Sequence, residues 1–410
     1  MRQHPVGGHA ASGDLRPCPG QIPQDGPDGK GQMVDHCTVI AEAGVNHNGD
    51  PAIALDLIDR AAEAGADFVK FQTFRAVEIA SRNARKADYQ QRTTGGGESQ
   101  LDMLLRLELS EAHHHDLVAR CRARGIGFLS TPFDLPSLGF LTGELGLGTI
   151  KIGSGDLTNG PLLLATARAG VRILLSTGMA SLSEVEEALG VIALGIANGR
   201  DDRTAAAARP GRAAFAAALQ DPAVWPVLQD RVTLLHCTTE YPAPVAETNL
   251  RAIDTLRAAF GTRVGYSDHT DGNTVSFAAA ARGADVIEKH FTLDRNLPGP
   301  DDAAPLEPPE LAQLVRGLRA IGQALGTGIK QPGLAELANR PIARRSLHAA
   351  TDLPAGHVLT AADLRVQRPA TGIGAMAFWD IQGRVLDRPV AAGELIPPPV
   401  GMDTDDDTSG

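Results

Sequence analysis

Eight continuous apolar runs recur along the chain, and amphipathic stretches separate them. The runs cover residues 38–44, 66–74, 125–133, 148–156, 172–179, 231–241, 263–270 and 284–293. Runs that are apolar throughout, rather than alternating, are typical of parallel strands buried on both faces. An eightfold alternation of strand and helix predicts an α/β fold, a (β/α)8 TIM barrel with right-handed connections.

The sequence around these runs predicts four parts. Residues 1–34 are rich in Gly, Pro and Gln and predict a disordered tail. Residues 35–330 hold the eight runs and are expected to form the barrel. Short β-prone pieces between glycine turns in residues 340–400 predict a small, separate β-rich domain. Residues 401–410 form an acidic tail that we expect to be solvated.

Two stretches interrupt the alternation of strand and helix. Residues 75–109 contain a long polar excursion, which predicts a lid-sized loop above the barrel. Residues 197–230 are Ala-rich with a Pro-Gly break, and they predict a helical excursion on the surface without an assigned function.

The composition argues against several classes of protein. The 410 residues carry a formal charge of −11 with a pI near 5.5, which disfavours nucleic acid or anionic membranes as partners. No apolar run reaches the roughly 18 residues that span a membrane, and the N-terminus lacks the apolar core of a signal peptide. The cysteines form neither a disulfide pattern nor a zinc motif, which fits a reducing cytoplasm. They are Cys18, Cys37, Cys121 and Cys237.

Polar side chains concentrate at the carboxyl ends of the predicted strands, where barrel proteins place their active sites. Buried lysine and glutamate are costly unless paired, so packing alone does not explain this set. Its members are Glu42, Lys70, Gln72, Thr131, Lys151, Ser154, Asp156, Ser176, Tyr241, Ser267, His269, Glu288 and His290, with Asp301 after the last strand.

The histidines His269 and His290 end neighbouring predicted strands. A single histidine at a strand end is more often a hydrogen-bonded core residue than a ligand. Two of them among carboxylates favour a divalent ion such as Mn²⁺, Mg²⁺ or Zn²⁺, with open positions for Lewis-acid chemistry. The consecutive histidines at 113–115 point in different directions on a helix, so they do not predict a metal site.

The lysines Lys70 and Lys151 leave three interpretations open. With the nearby hydroxyls they could bind a phosphate or a carboxylate. They could instead form structural ion pairs with Glu42 and Asp156. A Schiff-base lysine, as in barrel aldolases, is the third interpretation, and the accompanying metal pair disfavours it.

The motifs at these strand ends resemble those of the sialic acid (N-acetylneuraminate) synthases and their legionaminate- and pseudaminate-forming relatives. The resemblance covers residues 36–400. It rests on AEAGVNHNGD, VKFQTF, STPFD, KIGSGDLTN, LSTGM, LHCTTEYPAP, GYSDHT and EKHFTLDRNLPGPD, in this order. Such proteins have a barrel followed by an antifreeze-like (SAF) domain, form domain-swapped dimers, and condense phosphoenolpyruvate with an N-acylated mannosamine-type sugar.

The resemblance implies a role for each matching residue. His269 and His290 would bind the divalent metal, usually Mn²⁺, with Mg²⁺ or Co²⁺ as alternatives. Arg368 of the small domain would reach the sugar's N-acyl group in the partner's active site. Glu42, Lys70, Lys151 and Asp156 would be the catalytic groups. The phosphoenolpyruvate site would comprise Lys70, Thr131, Lys151, Ser154, Ser176 and Ser267, and the sugar side would comprise Glu42, Gln72, Tyr241 and Asp301.

Three positions depart from the pattern of these synthases. Asp156 stands where glutamate is frequent, and its shorter side chain reaches less far toward the sugar. Thr239 replaces an asparagine found in some members, and Ala370 replaces the glycine of an Arg-Pro-Gly turn.

The expected reaction is condensation of phosphoenolpyruvate, N-acetylmannosamine and water to N-acetylneuraminate and phosphate. The alternative acceptor is a 6-deoxy diacetamido sugar, which would make the chain an N,N'-diacetyllegionaminate synthase. Two other hypotheses are an aldolase that acts on pyruvate itself and a non-enzymic ice- or sugar-binding protein.

Overall fold

The computed structural model describes residues 37–80, 99–200, 209–297, 299 and 305–398. Backbone contacts divide the chain into two compact units, Met1–Gly326 and Thr327–Gly410. The two predicted tails and Asp301 lie outside the described residues, so those predictions stay predictions.

Among the described residues, eight strands form one sheet in the order β3-β2-β1-β8-β7-β6-β5-β4, with every pairing parallel. The end strands β3 and β4 also contact each other, so the sheet curls into a barrel and confirms the predicted fold class. The strands are β1 (Thr38–Gly44), β2 (Phe68–Thr73), β3 (Gly127–Pro132), β4 (Thr149–Ile152), β5 (Arg172–Ser176), β6 (Val232–Cys237), β7 (Arg263–Asp268) and β8 (Val286–His290).

Helices follow the strands and begin and end at the expected signals. In the first helix, the Asp50 side chain accepts a hydrogen bond from the Ala52 N–H, and Gly65 ends the helix at φ 83°. The helices of this unit are α1 (Pro51–Ala64), α2 (Ala76–Ile79), α3 (Gln100–Leu107), α4 (Glu111–Arg124), α5 (Leu135–Gly139), α6 (Gly160–Arg168), α7 (Leu182–Arg200), α8 (Arg212–Leu219), α9 (Trp225–Arg231), α10 (Ala252–Phe260), α11 (Thr274–Ala281) and α12 (Pro308–Leu325).

The two interrupting stretches contain helices. Helices α2 and α3 lie in the stretch predicted as a lid-sized loop, on either side of the undescribed residues 81–98. Helices α8 and α9 lie in the Ala-rich stretch, as its composition predicts. Helix α8 packs on α7, where a Cβ added at Gly190 would lie 3.1 Å from Phe215 and require a small shift of that residue.

The barrel interior has an apolar layer under a polar one, because inward-facing residues recur at every second position of a strand. The apolar layer is Ile40, Phe68, Leu129, Leu174, Leu235 and Val286. Two residues further along the same strands lie Glu42, Lys70, Thr131, Ser176, Cys237 and Glu288. The strand period therefore places a ring of polar side chains at the carboxyl end of the barrel.

The second unit has its own small core. Helix α13 (Leu334–Ala343) precedes strand β9 (Ser346–Ala349), which pairs antiparallel with β10 (Leu364–Gln367). Its buried apolar residues include Leu347, Leu353 and Ile381, all at most 4% exposed. In the part of the chain that the structure describes, no helix combines the length and apolar character needed to cross a bilayer.

Candidate active site

A cavity of about 300 Å³ opens at the carboxyl ends of the barrel strands. Helix α3 supplies part of an apolar wall through Met103 and Leu107, which are almost completely buried. The predicted site residues that line the cavity are Glu42, Lys70, Gln72, Thr131, Lys151, Ser154, Ser176, Tyr241, Ser267, His269 and His290. The structure thus brings most of the predicted set together on one surface.

Two lysines and two glutamates form a buried charge cluster at the floor of this cavity. The Lys70 ammonium contacts the Glu42 carboxylate, lies 3.6 Å from Glu288 Oε2, and donates a 3.2 Å hydrogen bond to Thr131 Oγ1. Lys151 Nζ lies 3.3 Å from Glu288 Oε1. All four charged side chains are at most 5% exposed, so each must find its partner inside the cluster.

The two carboxylates of the cluster differ in acidity. Burial alone would raise the pKa of Glu288, but the ammonium groups of Lys151 and Lys70 and the Ser267 hydroxyl hold that pKa at about 2. Burial raises the pKa of Glu42, and Lys70 offsets this only in part. Carboxyl groups whose pKa values are pushed apart are typical of acid–base sites. Glu288 is therefore the fixed anion, and Glu42 is suited to exchange a proton.

The two histidines lie side by side at the ends of β7 and β8, with ring centroids 5.3 Å apart. The Tyr241 ring lies 4.2 Å from the ring of His269. Burial lowers the pKa of His269 to about 4 and lowers that of His290 well below its usual value. His269 Nδ1 lies 2.6 Å from the Thr238 carbonyl. Because a carbonyl only accepts, Nδ1 carries the proton, and the lone pair is on Nε2.

Neutral imidazoles with a free ring nitrogen are suitable metal ligands, and a carbonyl partner on the other nitrogen is typical of such ligands. Among the described residues, no group of three or more His, Cys, Asp or Glu side chains is arranged to hold a metal. The donor set therefore fits an ion that takes two protein nitrogens and fills its other positions with water or substrate.

Three predicted residues are not among the described residues that line this cavity. Asp156 is in a short 3-10 turn, Ser154–Asp156, and its Oδ1 accepts a 2.9 Å hydrogen bond from the Asn159 amide; Asp156 does not line the cavity. Arg368 is an exposed residue of the second unit, and its role at a partner's barrel stays a prediction. Asp301 lies outside the described residues.

Sequence reasoning placed Glu288 at a strand end but did not select it as a site residue. It forms the centre of the charge cluster: both lysines lie close to it, and Ser267 Oγ donates a 2.8 Å hydrogen bond to it. The signal was available, because Glu288 is two positions from the inward-facing His290 on the same strand.

The fold and the site define a (β/α)8-barrel enzyme whose cavity holds two buried lysines, each paired with a glutamate, that can bind an anionic substrate. The chain belongs to the NeuB family, whose profile matches residues 57–330, and a SAF domain matches residues 344–399. The family comprises sialic and nonulosonic acid synthases, as the resemblance of the motifs predicts.

Two curated relatives and one solved structure are informative. The N,N'-diacetyllegionaminic acid synthase of Campylobacter jejuni is 46% identical over 87% of this chain and 98% of its own length. The N,N'-diacetyllegionaminic acid synthase of Legionella pneumophila is 40% identical over 88% of this chain and 93% of its own.

The N-acetylneuraminic acid (sialic acid) synthetase from Leptospira borgpetersenii, whose crystal structure contains citrate, is 32% identical to this chain. The two structures superpose with a TM-score of 0.58, and the match covers 74% of this chain and 90% of the Leptospira chain.

Proposed function

We propose that this enzyme condenses phosphoenolpyruvate, a 6-deoxy diacetamido hexose and water to N,N'-diacetyllegionaminate and inorganic phosphate. The choice of acceptor rests on the 46% identity to the Campylobacter jejuni synthase over nearly all of that protein. The choice of chemistry rests on the buried cluster of Lys70, Lys151, Glu42 and Glu288 beside two neutral histidines.

The lysines supply the anion site. Lys70 and Lys151 are both buried at the cavity floor, and they can bind the phosphate and carboxylate groups of phosphoenolpyruvate. The hydroxyls of Thr131, Ser154 and Ser176 line the same cavity and can donate further hydrogen bonds. Fixing both anionic ends of phosphoenolpyruvate orients its C3 carbon toward the acceptor and supplies proximity.

The reaction forms one C–C bond at C3 and, at C2, forms a C–O bond to the oxygen of water and breaks the C–O bond to phosphate. The enol carbon C3 attacks the aldehyde carbon of the open-chain sugar, and the aldehyde oxygen takes a proton and becomes a hydroxyl. The C2 carbon is left with oxocarbenium character, and water adds to it. The resulting tetrahedral adduct expels phosphate by cleavage of the C2–O bond, which leaves the keto group of the nine-carbon acid.

Glu42 is the residue best placed to accept the proton of the attacking water. Its carboxylate lies in the cavity wall, and burial raises its pKa above that of an ordinary glutamate, which makes the carboxylate a stronger base. Glu288, whose pKa is about 2, stays ionised and holds both lysines in place. The Gln72 amide, 3.4 Å from Glu42 Oε1, helps to orient the base.

A divalent metal, Mn²⁺ with Mg²⁺ or Co²⁺ as alternatives, completes the proposal. His269 and His290 would hold it, because both imidazoles are neutral and face the cavity. When bound, the metal would supply Lewis-acid polarisation of the aldehyde oxygen.

A phosphate-release assay tests the proposal. Purified enzyme receives phosphoenolpyruvate with either the diacetamido sugar or N-acetylmannosamine, each with Mn²⁺ and with chelator, and mass spectrometry identifies the product. We expect phosphate release with at least a tenfold preference for the diacetamido sugar, about 1.4 kcal/mol in transition-state energy. A preference for N-acetylmannosamine would reverse the assignment, and product formation without phosphate release would indicate an aldolase.

Histidine variants test the metal site in the same assay. His290→Ala should abolish metal-dependent turnover while the protein stays folded. His115→Ala is the matched control, because that histidine is exposed on α4 and pairs with Glu144 on the surface. Full activity of His290→Ala in chelator would refute the metal assignment.

A further inference from the structure

The hydroxyl of Ser154 lies between two groups that the reaction as described does not use. The backbone N–H of Gly178 donates a 3.1 Å hydrogen bond to Ser154 Oγ. The thiol sulfur of Cys237 lies 3.1 Å from the same oxygen. Ser154 lines the active-site cavity, whereas Cys237 lines a second cavity and is not among the residues that line the first.

The pattern of donors determines what Ser154 can offer to a ligand. A hydroxyl has one hydrogen to donate and two lone pairs that accept. The Gly178 N–H occupies one lone pair. Either atom can be the donor in the contact between Cys237 and Ser154. When an anion in the cavity accepts the serine hydrogen, the contact can only run from the Cys237 S–H to the second lone pair of Ser154 Oγ. In that arrangement the only capacity left to Ser154 is its own hydrogen, which serves an acceptor in the cavity, such as a phosphate or carboxylate oxygen.

The space around this contact is closely filled. A side chain at Gly178 would place its Cβ 2.7 Å from Ser154 Oγ, 3.0 Å from Cys237 Sγ and 2.4 Å from Thr239 Oγ1. Cys237 itself is only 5% exposed, at the end of β6. Close packing therefore restricts the Ser154 hydroxyl, which lies among the Cys237 thiol, the Thr239 hydroxyl and the Gly178 backbone.

We propose that Cys237 is a positioning residue that, together with the Gly178 N–H, holds Ser154 as a hydrogen-bond donor to the anion in the cavity. This inference rests on the proposed function, because it assigns that anion to phosphoenolpyruvate. It assigns Cys237 no contact with substrate: the thiol acts through the serine.

The test compares three variants of the full-length enzyme. Cys237→Ala removes the donor, and we expect the KM for phosphoenolpyruvate to rise about three- to tenfold, the value of one neutral hydrogen bond, while the KM for the sugar is unchanged. Cys237→Ser restores a donor and should return the KM to within about twofold of wild type. Cys121→Ala is the matched control, because it removes another buried thiol, on the outer helix α4.

Three outcomes would overturn the inference. They are an unchanged KM in Cys237→Ala, an equal loss in Cys237→Ser, or an equal loss in Cys121→Ala. The last two would show that packing, rather than the hydrogen bond, matters.

Titration with inorganic phosphate by calorimetry separates this inference from the proposed function. If wild-type enzyme turns over no phosphoenolpyruvate with either sugar, the proposed function fails. Weaker phosphate binding in Cys237→Ala but not in Cys237→Ser would still support the role of the thiol, and equal binding in all variants would refute it.

Discussion

Removing the Lys289 ammonium should destabilise the barrel more than any exposed ion pair does. Asp268 and Lys289 are register partners on β7 and β8, and they face outward, away from the cavity. Lys289 Nζ lies 3.1 Å from Asp268 Oδ2, and the two side chains are 2% and 0% exposed. Each residue directly precedes one of the paired histidines, so this ion pair joins the two strands at the point where His269 and His290 begin.

The magnitude follows from what Lys289→Met leaves behind. The Asp268 carboxylate keeps hydrogen bonds from the Thr270 N–H and hydroxyl and from the Ser276 hydroxyl, but it loses the ammonium group that pairs with it. Breaking one partner of a buried pair costs about 3–5 kcal/mol, because an uncompensated charge stays buried. The double variant Asp268→Asn/Lys289→Met should recover about 1–3 kcal/mol of the summed single losses.

Tryptophan fluorescence provides the assay. The sequence has two tryptophans, Trp225 at the start of α9 and Trp379 in the second unit. In a Trp379→Phe background, urea unfolding followed by fluorescence reports on the barrel unit alone. Arg75→Met is the control, because Arg75 and Glu111 form a 3.1 Å pair whose side chains are 50% and 54% exposed. We expect a cost below about 1 kcal/mol there.

Two results would refute this reasoning. A loss in Lys289→Met no larger than that in Arg75→Met would mean that the buried pair contributes little to the barrel. Strict additivity of the two single losses in the double variant would mean that Asp268 and Lys289 do not interact energetically.

Two further predictions concern stability. Burial lowers the pKa of His47 from 6.5 to about 4, and its Nδ1 accepts from the Gly49 N–H. Its neutral ring therefore contributes about 3 kcal/mol to the free energy of unfolding above pH 6.5. This contribution is lost as the pH falls to about 4. In urea unfolding between pH 6.5 and 4, the stability of the wild type should fall by that much more than the stability of His47→Asn. Equal losses in the two proteins would contradict the lowered pKa of His47. Gly265→Ala should cost about 1–3 kcal/mol, because the new Cβ would lie 2.6 Å from the Val286 carbonyl and 2.7 Å from Leu235. Gly143→Ala, with no atom within 4 Å of the added Cβ, is the control, and equal losses would exclude a steric cause.

The barrel could be predicted because its strands are buried on both faces and read as unbroken apolar runs. Strand ends were harder to predict than strand centres. The run at 148–156 was expected to be one strand, but β4 ends at Ile152, and Ser154–Asp156 forms a 3-10 turn. The run at 231–241 likewise ends as a strand at Cys237. In both stretches, polar residues extend the run beyond the last sheet pairing, so the composition of the run does not mark where the pairing stops.

The site was predictable as a set of strand-end residues but not in its internal pairing. Glu288, Lys289 and His290 are consecutive, and the alternation of a strand places the first and last on one face; the structure shows that this face lines the cavity while Lys289 faces outward. One of the three interpretations of the lysines paired them with Glu42 and Asp156; in the structure Lys70 contacts Glu42, but Lys151 pairs with Glu288. A side chain's direction after a turn depends on the backbone of that turn, which residue types alone do not determine.

The charges of the cluster indicate how the cavity can hold an anion without a permanent excess of positive charge. Lys70 and Lys151 are balanced by Glu42 and Glu288, so the four buried groups sum to zero. An anion that binds the lysines competes with Glu42, whose pKa burial already raises, more than with Glu288, whose pKa is about 2. Weakening the contact between Lys70 and Glu42 removes the main influence that opposes burial, so the protonated form of Glu42 becomes more favourable. That is the form a base reaches after taking a proton from water, so binding of the anionic substrate and activation of the base are coupled through Lys70.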